Sequence, residues 1–232
     1  VLERPATSTK KLFFERYSAL ASSPAAMERL LAIWSRKRVQ EDLALEEDEL
    51  ISMTAILSIR LPERAPGLME RQQARTTNPD NQRRLTFIAP AVSQEAKVRD
   101  TFFASLANAR NRQTEPWVLE ALRLLHHPAR ISQAERYLLP ILELLQEIQV
   151  TGDIFFPQEW LQASLARHRS SAAAATVSTF LADHPDYNHH LRMKILQSAD
   201  TLFRACRIRN GKDCCSANAM IEKQNSNPDL PG

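Results

Sequence analysis

Residues 151–168 read TGDIFFPQEWLQASLARH. Just upstream, Leu138, Ile141, Leu142, Leu145 and Ile148 recur at three- and four-residue spacing. That spacing predicts an amphipathic helix over roughly Ser132–Gln149, with one apolar stripe about 100° wide. Thr151-Gly152-Asp153 is expected to end it, Gly152 taking the left-handed backbone that closes a helix. Ile154, Phe155 and Phe156 form an apolar plug expected to be buried, because a solvated connection seldom carries three such residues. Pro157 opens the next helix, where its missing N–H costs nothing. Trp160, Leu161 and Leu165 give that helix its own inner face. Helix, short junction, helix is the unit of construction.

The same period extends in both directions, and two-residue alternation is absent. Thr9–Ala21 reads as a helix with Leu12, Phe13, Tyr17 and Leu20 on one side. Ser23 as N-cap and Pro24 at the first position start a second, burying Met27, Leu30, Leu31 and Trp34. Arg36-Lys37-Arg38 is expected in its last turn as a solvated end favoured by the helix dipole, rather than a phosphate contact. Glu46-Glu47-Asp48-Glu49 suits the start of a third helix for the opposite reason. A divalent-cation site would need companions these four carboxylates lack. Leu50, Met53, Thr54, Leu57 and Leu61 follow as its buried stripe. A polar helix after Pro66, a short one from Asn78-Pro79-Asp80 to about Pro90, and one capped by Ser93 with Val98, Phe102 and Leu106 inward come next. Thr114 caps another, turning Trp117, Val118, Ala121, Leu122 and Leu125 inward. Ser170–Asp183 and Asn188–Cys206 close the series, the last with Leu191, Ile195, Ala199, Leu202 and Phe203 inside.

The expected fold class is therefore all-α: about eleven antiparallel helices in a HEAT- or armadillo-like superhelix over residues 1–208, without a strict sequence repeat. Residues 209–232 hold only Met220, Ile221 and Leu230 as large apolar side chains. That is too little burial to offset the ordering of its backbone, so a loose tail is expected.

Composition narrows function by exclusion. Of 232 residues 44% are hydrophobic and 25% charged, as in an ordinary globular protein. Net charge is +3 with the two signs interspersed, unlike the concentrated basic face of a nucleic-acid binder. Four glycines rule out a Gly-rich phosphate loop. Cys206, Cys214 and Cys215 fit neither a disulfide framework nor a Cys-x-x-Cys metal site. No apolar run approaches the ~18–20 residues of a membrane span, and VLERPATSTKK lacks the apolar core of a signal peptide. Starting at Val1 suggests a piece of a longer protein. Compartment stays open.

Candidate chemistry is sparse. His126-His127 precede Pro128 at a helix end, where an imidazolium would complement the dipole. Asp183–His190 mixes His and Asp, but His189 and His190 point different ways on a helix and read as a polar loop and helix start. No His-Glu-x-x-His pair, nucleophile elbow or activated thiol occurs. No catalytic, cofactor-binding or metal residue is assigned. By residue chemistry alone this is a non-catalytic helical module.

Five stretches add a resemblance. TGDIFFPQEWLQASLARH, followed by FLADHPDY and LRMKILQSADTLFRA, resembles the C-terminal helical domain of bacterial zinc aminopeptidases of the aminopeptidase N family. NPDNQRRLTFIAPAVS and RDTFFASLANARNRQTEPWVLEALRLLHHP look like the preceding part of that domain, so the likeness covers roughly residues 9–208. It implies a HEAT-like superhelix walling the peptide chamber of a catalytic domain absent from this chain. The parent would hold zinc and act on peptides; this part would hold neither zinc nor catalytic residues, because the family's zinc helix, third glutamate ligand and Gly-Ala-Met-Glu-Asn segment have no counterpart here. The tail after Arg209 departs from the pattern. The implied partners are that catalytic domain and its peptides, with no nucleic acid and no membrane span. Two other readings remain: a free-standing helical-repeat scaffold for protein partners, and a nucleic-acid binder using Arg204–Arg209.

Overall fold

The computed structural model describes residues 7–40 and 43–210. Of the tail expected to be loose, residues 209–232, Arg209 and Asn210 end the last helix and the rest lies outside the described residues. The chain divides into two compact units, one ending at Arg99 and one beginning at Asp100.

The first unit contains α1 (Thr7–Leu20), α2 (Pro24–Arg36), strands β1 (Arg38–Gln40) and β2 (Leu43–Ala44), and α3 (Glu47–Arg60). A 3-10 turn at Pro62–Arg64 leads into α4 (Ala65–Arg75) and α5 (Pro79–Val92). Helix α6 (Ala96–Ser105) follows and carries the border between the units. The caps form where side-chain chemistry places them: Ser23 Oγ accepts from the Ala26 amide at 3.3 Å, and Asn78 Oδ1 from the Asp80 amide at 2.8 Å. Helices α2, α3 and α4 pack around Met27, Leu30, Trp34, Leu50, Met53 and Leu57. Trp34 is almost wholly buried and still satisfied: its indole N–H donates to Thr54 Oγ1 at 2.7 Å. Arg75 covers the ring at 4.1 Å and donates to the Trp34 carbonyl, so α4 is pinned to α2 by one side chain.

Two expectations in this unit are corrected. On α1 the stripe Leu12, Phe13, Tyr17, Leu20 faces outward, Leu20 being 80% exposed, and Phe14 packs against the core instead. The basic run does not fill the last turn of α2. Lys37 closes that helix in the left-handed region (φ 57°), and Arg38 already begins an antiparallel hairpin with β2. That hairpin was not foreseen, since strands of three and two residues leave no alternation to read. Helix α5 ends at Val92, close to its expected end near Pro90. Arg60 does what the spacing of α1 could not reveal. From the end of α3 it donates to the Ser18 carbonyl at 3.0 Å, the Ala19 carbonyl at 2.8 Å and the Ala21 carbonyl, capping the C-terminal end of α1 with a cation.

The second unit continues through α7 (Glu115–Leu125), α8 (Ile131–Ala134), α9 (Leu138–Glu143), α10 (Leu145–Thr151), α11 (Phe156–Leu165), α12 (Ser171–Asp183) and α13 (His189–Asn210). Three 3-10 turns, Ala109–Arg112, Pro128–Arg130 and Glu135–Tyr137, lie between them. Thirteen α-helices thus occur among the described residues, and the fold class is all-α apart from the minimal hairpin. The excess over eleven comes from one place. The single helix expected over Ser132–Gln149 is split into α8, α9 and α10. Pro140 accounts for the first interruption, at Glu135–Tyr137, because it has no N–H to give the Arg136 carbonyl. Helix α11 packs against α7 and α13, and α12 against α9 and α13. At the start of this unit Phe103 and Leu106 are buried, while Phe102, expected inward, is not; Val98, at the end of the first unit and also expected inward, is exposed.

Trp160 is fully buried at the centre of α11, as expected, with its N–H on the Ile141 carbonyl at 3.2 Å and Phe156 edge-on at 6.0 Å. The plug is only one third buried: Phe156 is inside, but Ile154 and Phe155 are 70% and 71% exposed. Gly152 is extended (φ −101°, ψ 174°), not left-handed. Its reason is space, since a Cβ there would lie 2.6 Å from Phe156 Cδ1 and 3.0 Å from the Ile148 carbonyl oxygen. Next to it Glu115 accepts the Asp153 amide at 2.8 Å, and the buried Arg112 holds Glu147 and Thr151.

Candidate functional site

The residues weighed from sequence fall out differently in space. Glu47 is more than a dipole complement. Its carboxylate accepts the Thr77 amide at 2.8 Å, the Thr77 hydroxyl at 2.6 Å, the Asn78 amide at 3.1 Å and the Asn81 side chain at 3.2 Å. Four donors hold that carboxyl down at about 2. It is a clasp between the starts of α3 and α5. Glu49 closes the cap by accepting the Glu46 amide at 2.7 Å, and Lys11 pairs with it at 3.0 Å.

Asp183–His190 forms the expected exposed loop and helix start. With Glu143, Gln146 and Phe180 it borders an open pocket of about 480 Å³. His184 is committed through Nδ1 to the Phe180 carbonyl at 2.8 Å. Among the described residues no group of three or more His, Cys, Asp or Glu could hold a metal ion. Cys206 is buried on α13, and Cys214 and Cys215 lie outside the described residues.

The most unusual chemistry lies where sequence pointed to a charged helix end. His126 caps α7, its amide bonded to the Leu122 carbonyl at 2.9 Å. His168 sits in the turn after α11, its amide on the Leu165 carbonyl at 3.0 Å. Both side chains are fully buried, and His126 Nδ1 faces His168 Nε2 at 2.8 Å, a hydrogen bond between residues 42 apart in the chain. The rings meet nearly edge-on (5.0 Å, 70°), and Tyr137 lies edge-on to His126 at 6.1 Å. The phenol of Tyr137 donates to Asp100 at 2.6 Å, Arg136 joins the same carboxylate at 2.8 Å, and Phe103 stacks on the Tyr137 ring at 4.6 Å.

His126 is therefore not an imidazolium at the dipole. Burial, then the neighbouring His168 and Arg167, push its pKa well below the ordinary range. Burial brings His168 down to about 4, against a smaller upward pull from Glu135. Two neutral imidazoles sharing one hydrogen bond must leave one outer nitrogen protonated and the other bare. Among the described residues, neither outer nitrogen, His126 Nε2 or His168 Nδ1, has a hydrogen-bond partner. The pair can hold or exchange a proton; walled in from solvent, it is not laid out to act on a substrate. No local motif announces it, because each histidine is unremarkable until α7 and α11 come together.

The chain matches no model of a known protein family, no curated protein and no solved structure.

Proposed function

We propose that this chain is the non-catalytic C-terminal helical domain of a zinc-dependent aminopeptidase of the aminopeptidase N family. In this reading the helices form a HEAT-like superhelix that walls the peptide chamber over a catalytic domain encoded in the same parent. One observation carries the reading: five sequence stretches between residues 78 and 205 resemble that domain in order and spacing. An all-α chain is the coarser condition such a domain must meet, and this chain meets it. The outward apolar residues Leu12, Phe13 and Leu20 in the first unit, and Val150, Ile154 and Phe155 in the second, are surface of the kind a neighbouring domain covers.

The parent's zinc finds no seat in these residues. The sequence lacks the His-Glu-x-x-His pair, and the buried histidine pair spends its facing nitrogens on each other. This chain would position peptides and exclude water around a site supplied elsewhere. Purified protein is expected to bind no stoichiometric zinc and to leave aminoacyl-anilides uncleaved. The gene upstream of Val1 is expected to encode His-Glu-x-x-His in the same frame. Stoichiometric zinc with turnover would sink the proposal. A start codon and ribosome site directly before Val1 would turn it to the free-standing scaffold.

A further inference from the structure

The histidine pair has no part in walling a peptide chamber, yet it is built with unusual economy. Two imidazoles are shut away from water, joined by one bond of 2.8 Å, with an unsatisfied nitrogen at each outer end. We propose that the pair is an acid-sensitive latch: while neutral it ties the end of α7 to the turn after α11, and proton uptake releases it and opens the second unit. This stands independently of the aminopeptidase reading.

The argument is a count of protons. The neutral pair carries two protons on four nitrogens, one of them between the facing atoms. A third proton makes a cation with no acceptor among the described residues at either outer nitrogen, on rings fully buried from solvent, where an uncompensated charge is costly. A fourth sets N–H against N–H across the 2.8 Å gap and removes the bond itself.

The surroundings do not rescue the charge. Arg123 lies on α7, and Arg167 and Arg169 follow α11; all three are cations, with Arg167 bonded to the Arg123 carbonyl at 3.4 Å and Arg169 to the His168 carbonyl at 2.6 Å. From the turns between α7 and α9 come His127, the buried Arg130, Glu135, Arg136 and Tyr137. Among the described residues Glu135 favours the charged form of His168, and it is engaged by Ser170 Oγ at 2.6 Å. Asp100, from α6, is occupied by Tyr137 and Arg136.

Both histidines are held below their ordinary value, so the sign is fixed. Stability is whole above pH ~6.5, where folded and unfolded histidines alike are neutral. As pH falls below that, the unfolded chain takes up protons the folded one refuses, and the folding constant drops by up to about tenfold per pH unit per histidine. The loss continues until the folded pair itself protonates, for His168 at about 4. The Glu47 clasp of the first unit, which titrates toward about 2, is not spent in this window.

The test is amide hydrogen exchange on the full 232-residue chain at pH 7.5, 6.5 and 5.0, corrected for intrinsic rates. Protection in α7 and α11 is expected to fall more than tenfold between pH 6.5 and 5.0, with α3 and α4 holding theirs. The double variant His126→Phe/His168→Leu should abolish that fall. Unchanged protection in α7 and α11, or an undiminished fall in the folded double variant, overturns the latch. If the variant does not fold, proton NMR titration of the wild-type imidazoles decides. Two resonances with midpoints well below 6 uphold the latch, and ordinary midpoints near 6.5 for both histidines overturn it.

Discussion

Replacing Gly152 by alanine separates two explanations of why glycine stands at the end of α10. Its backbone is one alanine adopts freely, so no conformational penalty applies. The obstacle is the Phe156 ring edge 2.6 Å from the new methyl, backed by the Ile148 carbonyl oxygen at 3.0 Å and Glu115 Oε1 at 3.2 Å. Phe156 is buried against Trp160 and cannot simply swing away. Overpacking costs ~1–3 kcal/mol, and the loss of glycine's freedom in the unfolded chain returns ~0.4–1 kcal/mol. Gly152→Ala should therefore destabilise by ~1–2 kcal/mol, a fall of ~0.5–1 M in the urea midpoint at a slope near 2 kcal/mol per M. Gly152→Asn is the sharper comparison. A left-handed cap would accept asparagine better than alanine, whereas a crowded site rejects the larger side chain more strongly. Phe156→Leu removes the ring edge, so in a double-mutant cycle it should recover ~1 kcal/mol of the alanine penalty. An unchanged or raised midpoint for Gly152→Ala, with asparagine the milder substitution, would refute the steric account.

Trp160→Ala should cost ~3–5 kcal/mol, since the ring is fully buried and its N–H satisfied by Ile141; a chemical-denaturation midpoint within error of wild type would contradict this. Glu47→Gln should flatten the acid dependence of the first unit. The carboxyl is depressed in the folded state, so its contribution is present above pH ~4.5 and lost as pH falls toward about 2, readable in protection of the Thr77 and Asn78 amides. Arg75→Lys keeps the charge but loses the flat stacking on Trp34; thermal unfolding of the first unit should shift down, by about 1 kcal/mol in stability.

Much of the helical framework was legible because its signals are local. Ser23, Asn78 and Ser170 announce helix starts through their own side chains, and Trp160, Leu161 and Leu165 bury together on one face. What escaped depends on partners. The apolar stripe of α1 is real but does not say which side meets a neighbour, and Phe14, off the stripe, makes the contact. Gly152 signals a junction but not whether conformation or crowding requires it. Pro140 lies inside a regular apolar pattern, yet the helix is interrupted one turn before it, at Glu135–Tyr137. The histidine pair is the extreme case. A contact between residues 42 apart changes a charged helix end into a neutral core, and only tertiary packing supplies that information.

Arg60 leaves α1 with a debt to α3. The guanidinium that gathers the carbonyls of Ser18, Ala19 and Ala21 depends on them as much as they depend on it. A protease cutting at Ser22–Ser23 and freeing the first helix would remove more than a half-exposed amphipathic rod. It would take three carbonyl acceptors from a cation on α3, so damage would spread to a segment some forty residues away in the chain. Trimming from the front therefore ends tolerably either before α1 or nowhere short of the third helix.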